Sequence, residues 1–283
     1  MVKKVKKSYN NSKTINKVLI HILLILISLA MLMPFFFMIS TSLKSTDEVF
    51  AIPYKWIPEK VMWENYVYMW ENAPWIKYFA NTAIITVAVI LGQVFVSSMA
   101  AYSFSRLEFK GRDAMFFIYL GTMMIPFQVV MIPTFSIIKD LGWVNELKSV
   151  IIPAFFSPFA TFLLRQFFLE IPKELEEAAK IDGCGYFRIY WEIMMKNSKP
   201  ALTTIVIFTF MWTWNDFIRP LIFLNNSETW TLALGLAKFQ GTYTTQWNQM
   251  MAGSLITMIP VLVIFVLGQQ YFIQGIVMSG IKG

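Results

Sequence analysis

Histidine and cysteine are almost missing from these 283 residues, with one of each, His21 and Cys184. A zinc site draws three or four ligands mostly from those two residue types, so the chain leaves almost no room for one and offers no other metal cluster. A lone cysteine forms no intrachain disulfide, and Cys184 reads as a small loop residue. A Ser-His-Asp or Cys-His centre would have to recruit His21 from the first apolar run, where a polar residue near a helix end is the plainer reading. No Gly-x-x-x-x-Gly-Lys-Ser/Thr run occurs, so the chain does not cradle a nucleotide phosphate by itself. There is no internal repeat. Charge is scarce as well. Charged residues make up 14% of the chain and hydrophobic ones 57%, whereas soluble proteins carry about a quarter charged residues.

What is present is long apolar sequence. Charge-free windows run over 18–43, 78–105, 114–138, 149–164, 200–215 and 239–281. Runs of about 18 or more apolar residues read as transmembrane helices, so the class is an all-α integral membrane protein. The fourth and fifth windows hold 16 residues each. The fourth reaches residue 169 if Arg165 snorkels to the headgroups. The fifth reaches residue 224 only by including Asp216 and Arg219. The last window begins with a polar stretch, which places its span near 251–272. Six spans result.

Lys and Arg gather on one side. Six Lys in residues 1–17, together with Arg106, Lys110, Arg112, the six basic residues of 165–200 and Lys282, put 16 of the 24 on the side of the amino terminus. By the positive-inside rule that side is cytoplasmic and both termini lie inside the cell. Topology therefore accounts for the net charge of +7, and no nucleic-acid partner is needed to explain it. The first apolar run, at 26 residues, is too long for a signal h-region and has no A-x-A site after it, so it reads as an uncleaved span. The Lys/Asn/Ser-rich tail at 1–17 reads as a disordered, lipid-attracted terminus. The Trp/Tyr-rich outer segment 41–77 (Tyr54, Trp56, Trp63, Tyr66, Tyr68, Trp70, Trp75) reads as an interfacial aromatic belt, with a partner- or sugar-binding surface as the sharper alternative.

One charged island interrupts this apolar chain: Glu174-Leu175-Glu176-Glu177-Ala178-Ala179-Lys180-Ile181-Asp182-Gly183. It lies outside the lipid, on the cytoplasmic side. Pro172 suits a first helical position, and acidic residues in the first turn oppose the helix dipole. Lys173/Glu177 and Glu176/Lys180 are spaced for i,i+4 pairs. Leu175, Ala178, Ala179 and Asp182 share one side, part of it nearly smooth. Gly183 and Gly185 break the helix. A second helix follows with an apolar stripe, Phe187, Tyr190, Trp191, Met194 and Met195, braced by Arg188/Glu192 and Glu192/Lys196. An amphipathic hairpin lying on lipid fits the pattern. The small Ala face argues against it, because lipid binding favours bulky apolar groups whereas small residues admit another protein.

Glu177-Ala178-Ala179-Lys180-Ile181-Asp182-Gly183, with Ile171-Pro172 before it and Pro200-Ala201-Leu202 after it, resembles the coupling loop of binding-protein-dependent ABC importer permeases, and most closely the six-span subunit of maltose-transporter type. The likeness extends from about Leu43 to Gly283. It includes Ala100-Ala101-Tyr102 with Arg106 and Gly111-Arg112, Met124-Ile125-Pro126 with Ile132-Pro133, Trp214-Asn215-Asp216-Phe217, Met251-Ala252-Gly253-Ser254 and the terminal Gly280-Ile281-Lys282-Gly283. Cys184-Gly185 stands where the family has small residues, and Lys196 stands near where it has a Pro.

The resemblance implies the type I ABC importer permease fold. It divides the chain into a basic tail (1–17), the first span with its outer segment (18–77), a transmembrane core (78–272) holding the coupling loop (171–200), and a C-terminal tail (273–283). It implies a non-catalytic subunit in a bacterial inner membrane that imports a sugar such as an oligosaccharide. Amino acids, peptides or anions are the near alternatives. An ion-coupled secondary transporter is the distant one, since no midplane carboxylate or inverted repeat is visible. The implied partners are a second, non-identical permease of the same transporter type, a dimer of cytoplasmic ATP-binding subunits using ATP and Mg, an extracytoplasmic sugar-binding protein reached through residues 225–248, and membrane lipid. The chain itself binds no cofactor. Glu177, Ala178, Ala179, Asp182 and Gly183 would form the ATPase contact. Gln128, Asn215, Asp216 and Arg219 are the candidates for the substrate pathway, with Asp216 and Arg219 spaced to pair, and Ala88/Gly92 and Ser97/Ala101 suit helix packing.

Overall fold

The computed structural model describes residues 2–240 and 245–280, and every regular element among them is helical. The chain divides into two compact units, Met1–Asn72 with Phe239–Met258, and Ala73–Lys238 with Ile259–Gly283. Each of the six apolar windows carries helix, the last of them from Trp247 onward. Among the described residues, Lys17–Ser42, Trp75–Arg106 and Lys148–Glu170 are long and apolar enough to cross a bilayer, and a helix pair bent at residues 125–126 makes a fourth if it is one span, fewer than the six expected because the apolar helical stretches of the other two windows are shorter.

In the first unit, α1 (Val2–Ser42) exposes the apolar residues of its stretch 18–37 all round, as a lipid-facing helix does. The tail expected to be disordered is instead helical from Val2. Extending an existing helix avoids the nucleation cost, and this draws the Lys/Asn/Ser tract into the same helix. Beyond α1, residues 43–72 carry α2 (Thr46–Val49) and α3 (Glu64–Glu71). Two buried amides hold this segment. Asn65 Nδ2 donates to the carbonyls of Ser42 (2.8 Å) and Lys44 (2.9 Å). Asn248 Nδ2 donates to Lys44 O and Asn65 Oδ1, both at 3.1 Å. They satisfy carbonyls left open where α1 ends. Lys44 is fully buried with its Nζ 3.5 Å from the Tyr54 ring centroid, a cation–π contact that replaces water around the ammonium. The aromatic residues of this segment thus divide by role. Tyr54 and Tyr66, the latter bonded to Ser42 Oγ at 2.7 Å, brace the segment, while Trp56, Trp63, Tyr68 and Trp70 are exposed.

The second unit is built on α4 (Trp75–Arg106). At 1.5 Å per residue its 32 residues extend about 48 Å, enough to cross the roughly 30 Å hydrocarbon layer and project beyond it. Its buried residues recur every three or four positions, from Asn81, Ile85 and Val89 to Ser97, Ala101 and Ser105. After α5 (Arg112–Gly121), the third window breaks and turns by 100° into α6 (Phe127–Asp140). The cause is Pro126, which forces Ile125 into extended backbone (φ −89°, ψ 110°). The fourth window likewise breaks between α7 (Lys148–Ile151) and α8 (Pro158–Glu170), where Ser157, the residue before Pro158, is extended (φ −130°, ψ 104°). The second of these starts cleanly because Ser157 Oγ accepts the Ala160 N–H. Arg165 does not snorkel to lipid. It turns inward, donating from Nε to Phe104 O at 3.1 Å and stacking over Phe116, because a protein carbonyl lies within its reach.

Then come α9 (Lys173–Ile181), α10 (Tyr186–Ile189), α11 (Lys199–Trp214), α12 (Ile218–Phe223) and α13 (Leu232–Ala237). The last described helix, α14 (Trp247–Gly280), carries the sixth window. Both α8 and α11 pack on α4. Small residues make this possible: Ser97 and Ala101 are buried, and a Cβ added at Gly92 would lie 2.2 Å from the Phe155 ring. Gly92→Leu is therefore expected to destabilise the protein by about 1–3 kcal/mol through overpacking. The check is the Tm of detergent-solubilised protein, and an unchanged Tm would mean that the Phe155 turn yields freely.

Candidate functional site

The charged island folds as the sequence suggests at its carboxyl end and differently before it. Pro172 is the N-cap of α9 rather than its first helical residue, with Glu174 and Glu176 in the first turn. At the other end Gly183 takes φ +78°. Its N–H donates to Lys180 O at 3.0 Å and the Cys184 N–H to Ala179 O at 2.8 Å, the two reverse bonds of a Schellman turn. Asp182 is the C-cap. A π-helical turn, Tyr190–Met195, then follows α10.

That turn splits the expected apolar stripe. The i→i+5 geometry rotates successive residues off a single face, so Tyr190 and Met194 are buried while Phe187 and Trp191 are exposed. Inward, Ile189, Tyr190 and Met194 pack with Tyr102, Leu164 and Phe168, and Ala179 and Cys184 rest against this cluster. Each large apolar side chain buried there outside the lipid contributes about 1.5–3 kcal/mol. Outward, Glu177, Ala178 and Asp182 are exposed beside Leu175 and Ile181. The expectation that Ala178 and Ala179 share one docking face needs correcting: Ala178 is presented and Ala179 faces the core. Lys196 pairs with Glu192 as expected and holds that carboxyl below its ordinary pKa through their hydrogen bond.

Glu176 does not pair with Lys180. It turns into the protein, where its carboxylate lies 2.9 Å from Arg106 Nε with side-chain exposures of 9% and 3%. The Nε–H points off the carboxylate line, so this is a charge contact and not an aligned hydrogen bond. Arg106, the last residue of α4, also donates from Nη2 to Ile171 O at 2.5 Å and to Phe168 O. Sequence reasoning noted Arg106 only as part of a motif and gave it no partner. The available signal was Ser98, Tyr102 and Arg106 at four-residue spacing on one face of α4, opposite a carboxylate-rich helix.

The four candidates for the substrate pathway, Gln128, Asn215, Asp216 and Arg219, all line one cavity of about 1090 Å³. The Pro126 break places Gln128 and Phe127 there, and the turn ending α11 places the other three. Asp216 and Arg219 pair at 3.5 Å, and the guanidinium lies 5.3 Å from the Phe127 ring centroid. Among the described residues they are the only charged ones on the wall. Gln93 and Thr209, hydrogen-bonded to each other at 3.0 Å, and Trp212 also line it and were not anticipated. Residues 225–238 are tied to α4. Asn81 Nδ2 donates to Glu228 O and Trp230 O, both at 3.0 Å, and Lys77 pairs with Glu228. Residues 241–244 of the 225–248 segment, and the terminal motif's 281–283, lie outside the described residues.

Residues 93–277 match the family described as binding-protein-dependent transport system inner membrane component. The chain is 37% identical over 268 residues to the probable ABC transporter permease protein YurM of Bacillus subtilis (strain 168), covering 93% of this chain and 87% of that one. It is 32% identical over 273 residues to the arabinooligosaccharides transport system permease protein AraQ of the same organism, covering 95% and 97%. Its fold superposes with a TM-score of 0.79 and 25% identity on a chain of a bacterial ABC transporter involved in import of the acidic polysaccharide alginate, covering 92% of this chain and 98% of that one. A multi-span helical core, a charged hairpin outside the apolar segments and a family match over more than half of the sequence lead to one assignment: the chain belongs to the binding-protein-dependent ABC importer permeases, inner-membrane components of transport systems.

Proposed function

We propose that this chain is one permease subunit of an ATP-driven importer for uncharged oligosaccharides. The observation that carries the substrate class is the cavity wall. Amide and hydroxyl groups (Gln93, Gln128, Thr209, Asn215) stand beside the aromatic faces of Phe127 and Trp212, and the two charges, Asp216 and Arg219, neutralise each other. Sugars need hydrogen-bond partners together with flat apolar surface. An anion would call for an unpaired cation. The arabinooligosaccharide relative fits the same class.

The chain works beside a second, non-identical permease, a dimer of ATP-binding subunits and an external sugar-binding protein. Its termini and the 171–200 hairpin are cytoplasmic, and the exposed side of that hairpin, around Ala178, docks on the ATPase. ATP and Mg are consumed by the partner ATPase; this chain binds no cofactor and performs no catalysis.

The test is reconstitution of the four-component system in proteoliposomes, followed by uptake and ATPase assays with neutral oligosaccharides, uronic-acid oligosaccharides, phosphorylated polyols and amino acids. Stimulation by neutral oligosaccharides is the expected result. Stimulation only by anions or amino acids would refute the substrate class. Within that assay Gln128→Leu, which removes a neutral hydrogen-bonding group worth about 0.5–1.5 kcal/mol, is expected to lower uptake about 2- to 10-fold while binding-protein docking is retained.

A further inference from the structure

Resting on that reading, we infer that Arg106 and Glu176 are positioning residues that tie the ATPase-facing hairpin to α4, so that movement of the hairpin reaches the cavity. One guanidinium gathers three helices. Arg106 ends α4. Its Nη2 donates to the carbonyls of Phe168 and Ile171, where α8 terminates, and its Nε contacts Glu176 in the first turn of α9. A helix C-terminus leaves open carbonyls and a negative dipole end, so a cation there serves the end of α8 and the carboxylate of α9 together. Burial makes the arrangement stringent. A buried charge without its partner is strongly unfavourable, so neither member can swing away while the other stays inside.

A second attachment lies one and two turns back along the same face of α4. Tyr102 packs against the Tyr190 ring at 5.6 Å between centroids, and Ser98 Oγ bonds the Tyr190 hydroxyl at 2.7 Å. The hairpin is therefore fastened to α4 through its first helix by Arg106 and through its π-turn by Ser98 and Tyr102. Farther along α4, Gln93 and Val89 line the cavity, and Gln93 Oε1 accepts the Thr209 hydroxyl of α11. A rigid helix with the hairpin fixed at one end and cavity residues at the other transmits a displacement, whereas a loosely tethered hairpin would move alone.

The test uses the complete reconstituted transporter and compares Arg106→Lys with Glu176→Gln. Lysine keeps the charge but lacks the planar fork needed to serve α8 and α9 at once. Glutamine keeps the shape and one acceptor, and leaves Arg106 on the α8 carbonyls. Site-to-site couplings usually amount to roughly 5- to 150-fold, and the expected result is a fall of about tenfold in sugar imported per ATP hydrolysed for Arg106→Lys. Glu176→Gln is expected to give a smaller fall, with the ATPase subunits co-purifying in both. An unchanged ratio in both variants overturns the inference, whether the two activities stay normal or fall in parallel. If Arg106→Lys fails to assemble, the near-isosteric Glu176→Gln decides. Wild-type protein that shows no ATP-driven uptake would refute the functional reading itself, a result separate from these.

Discussion

Ala178→Arg is expected to cut uptake by about 30-fold or more while the protein remains folded in the membrane. Two magnitudes set the expectation. Ala178 is solvent-exposed on α9, and exposed substitutions usually change stability by within about 0.5 kcal/mol. Arginine is also nearly as good a helix former as alanine. The fold therefore has little reason to respond. A docking surface does, because a bulky charged side chain at the centre of a close contact costs about 2 kcal/mol or more, and about 1.4 kcal/mol is a factor of ten. Ala178→Ser, which keeps the position small, should remain near wild type. Uptake in proteoliposomes and co-purification of the ATPase subunits provide the readout. Normal uptake by the arginine variant would remove α9 from the docking surface. The same variant made at Ala179 should act differently: that side chain rests against the buried cluster around Tyr102 and Phe168, so a lower Tm is expected there along with lost uptake.

Ala178 and Ala179 also show where reading the sequence reached and where it stopped. Composition and charge-free runs suffice to find the apolar segments, because the cost of burying charge in lipid depends on residue type and not on partners. Local caps were legible for the same reason. Gly183 ends α9 through backbone conformation that a single glycine supplies, and Asp216 and Arg219 pair over three residues of separation. Direction and distant pairing were not legible. The 100° turn between α5 and α6 is set by Pro126 acting on Ile125, yet hydropathy registers both as part of one apolar window. Glu176 had a plausible neighbour in Lys180, and an exposed i,i+4 pair is worth about 0.2–0.5 kcal/mol. The buried Arg106 lies 70 positions away in the chain, and the demand of a buried carboxylate for a partner exceeds that local preference. Which alanine faces outward depends on the same tertiary choice, since turning Glu176 inward sets the rotation of α9.

That rotation is held at its far end by the Schellman turn, and this yields a graded series at Gly183. Its φ of +78° lies in the left-handed region, while a Cβ there would meet nothing within 4 Å. Any effect of substitution is therefore backbone strain rather than a clash. Left-handed backbone costs an ordinary L-residue about 1–2 kcal/mol, Asn tolerates it, and a β-branched residue is a true outlier there. Gly183→Asn should transport nearly as well as wild type, Gly183→Ala should lose a few-fold, and Gly183→Val should lose roughly tenfold or more, with 1.4 kcal/mol per decade. The loss follows from geometry. Without the turn, the Cys184 N–H loses its bond to Ala179 O, and α10 leaves α9 at a new angle. Equal uptake from all four residues at position 183 would show that the ATPase contact does not depend on this turn. The order Asn, Ala, Val would identify backbone conformation as the cause, since side-chain size alone would make Asn and Val alike.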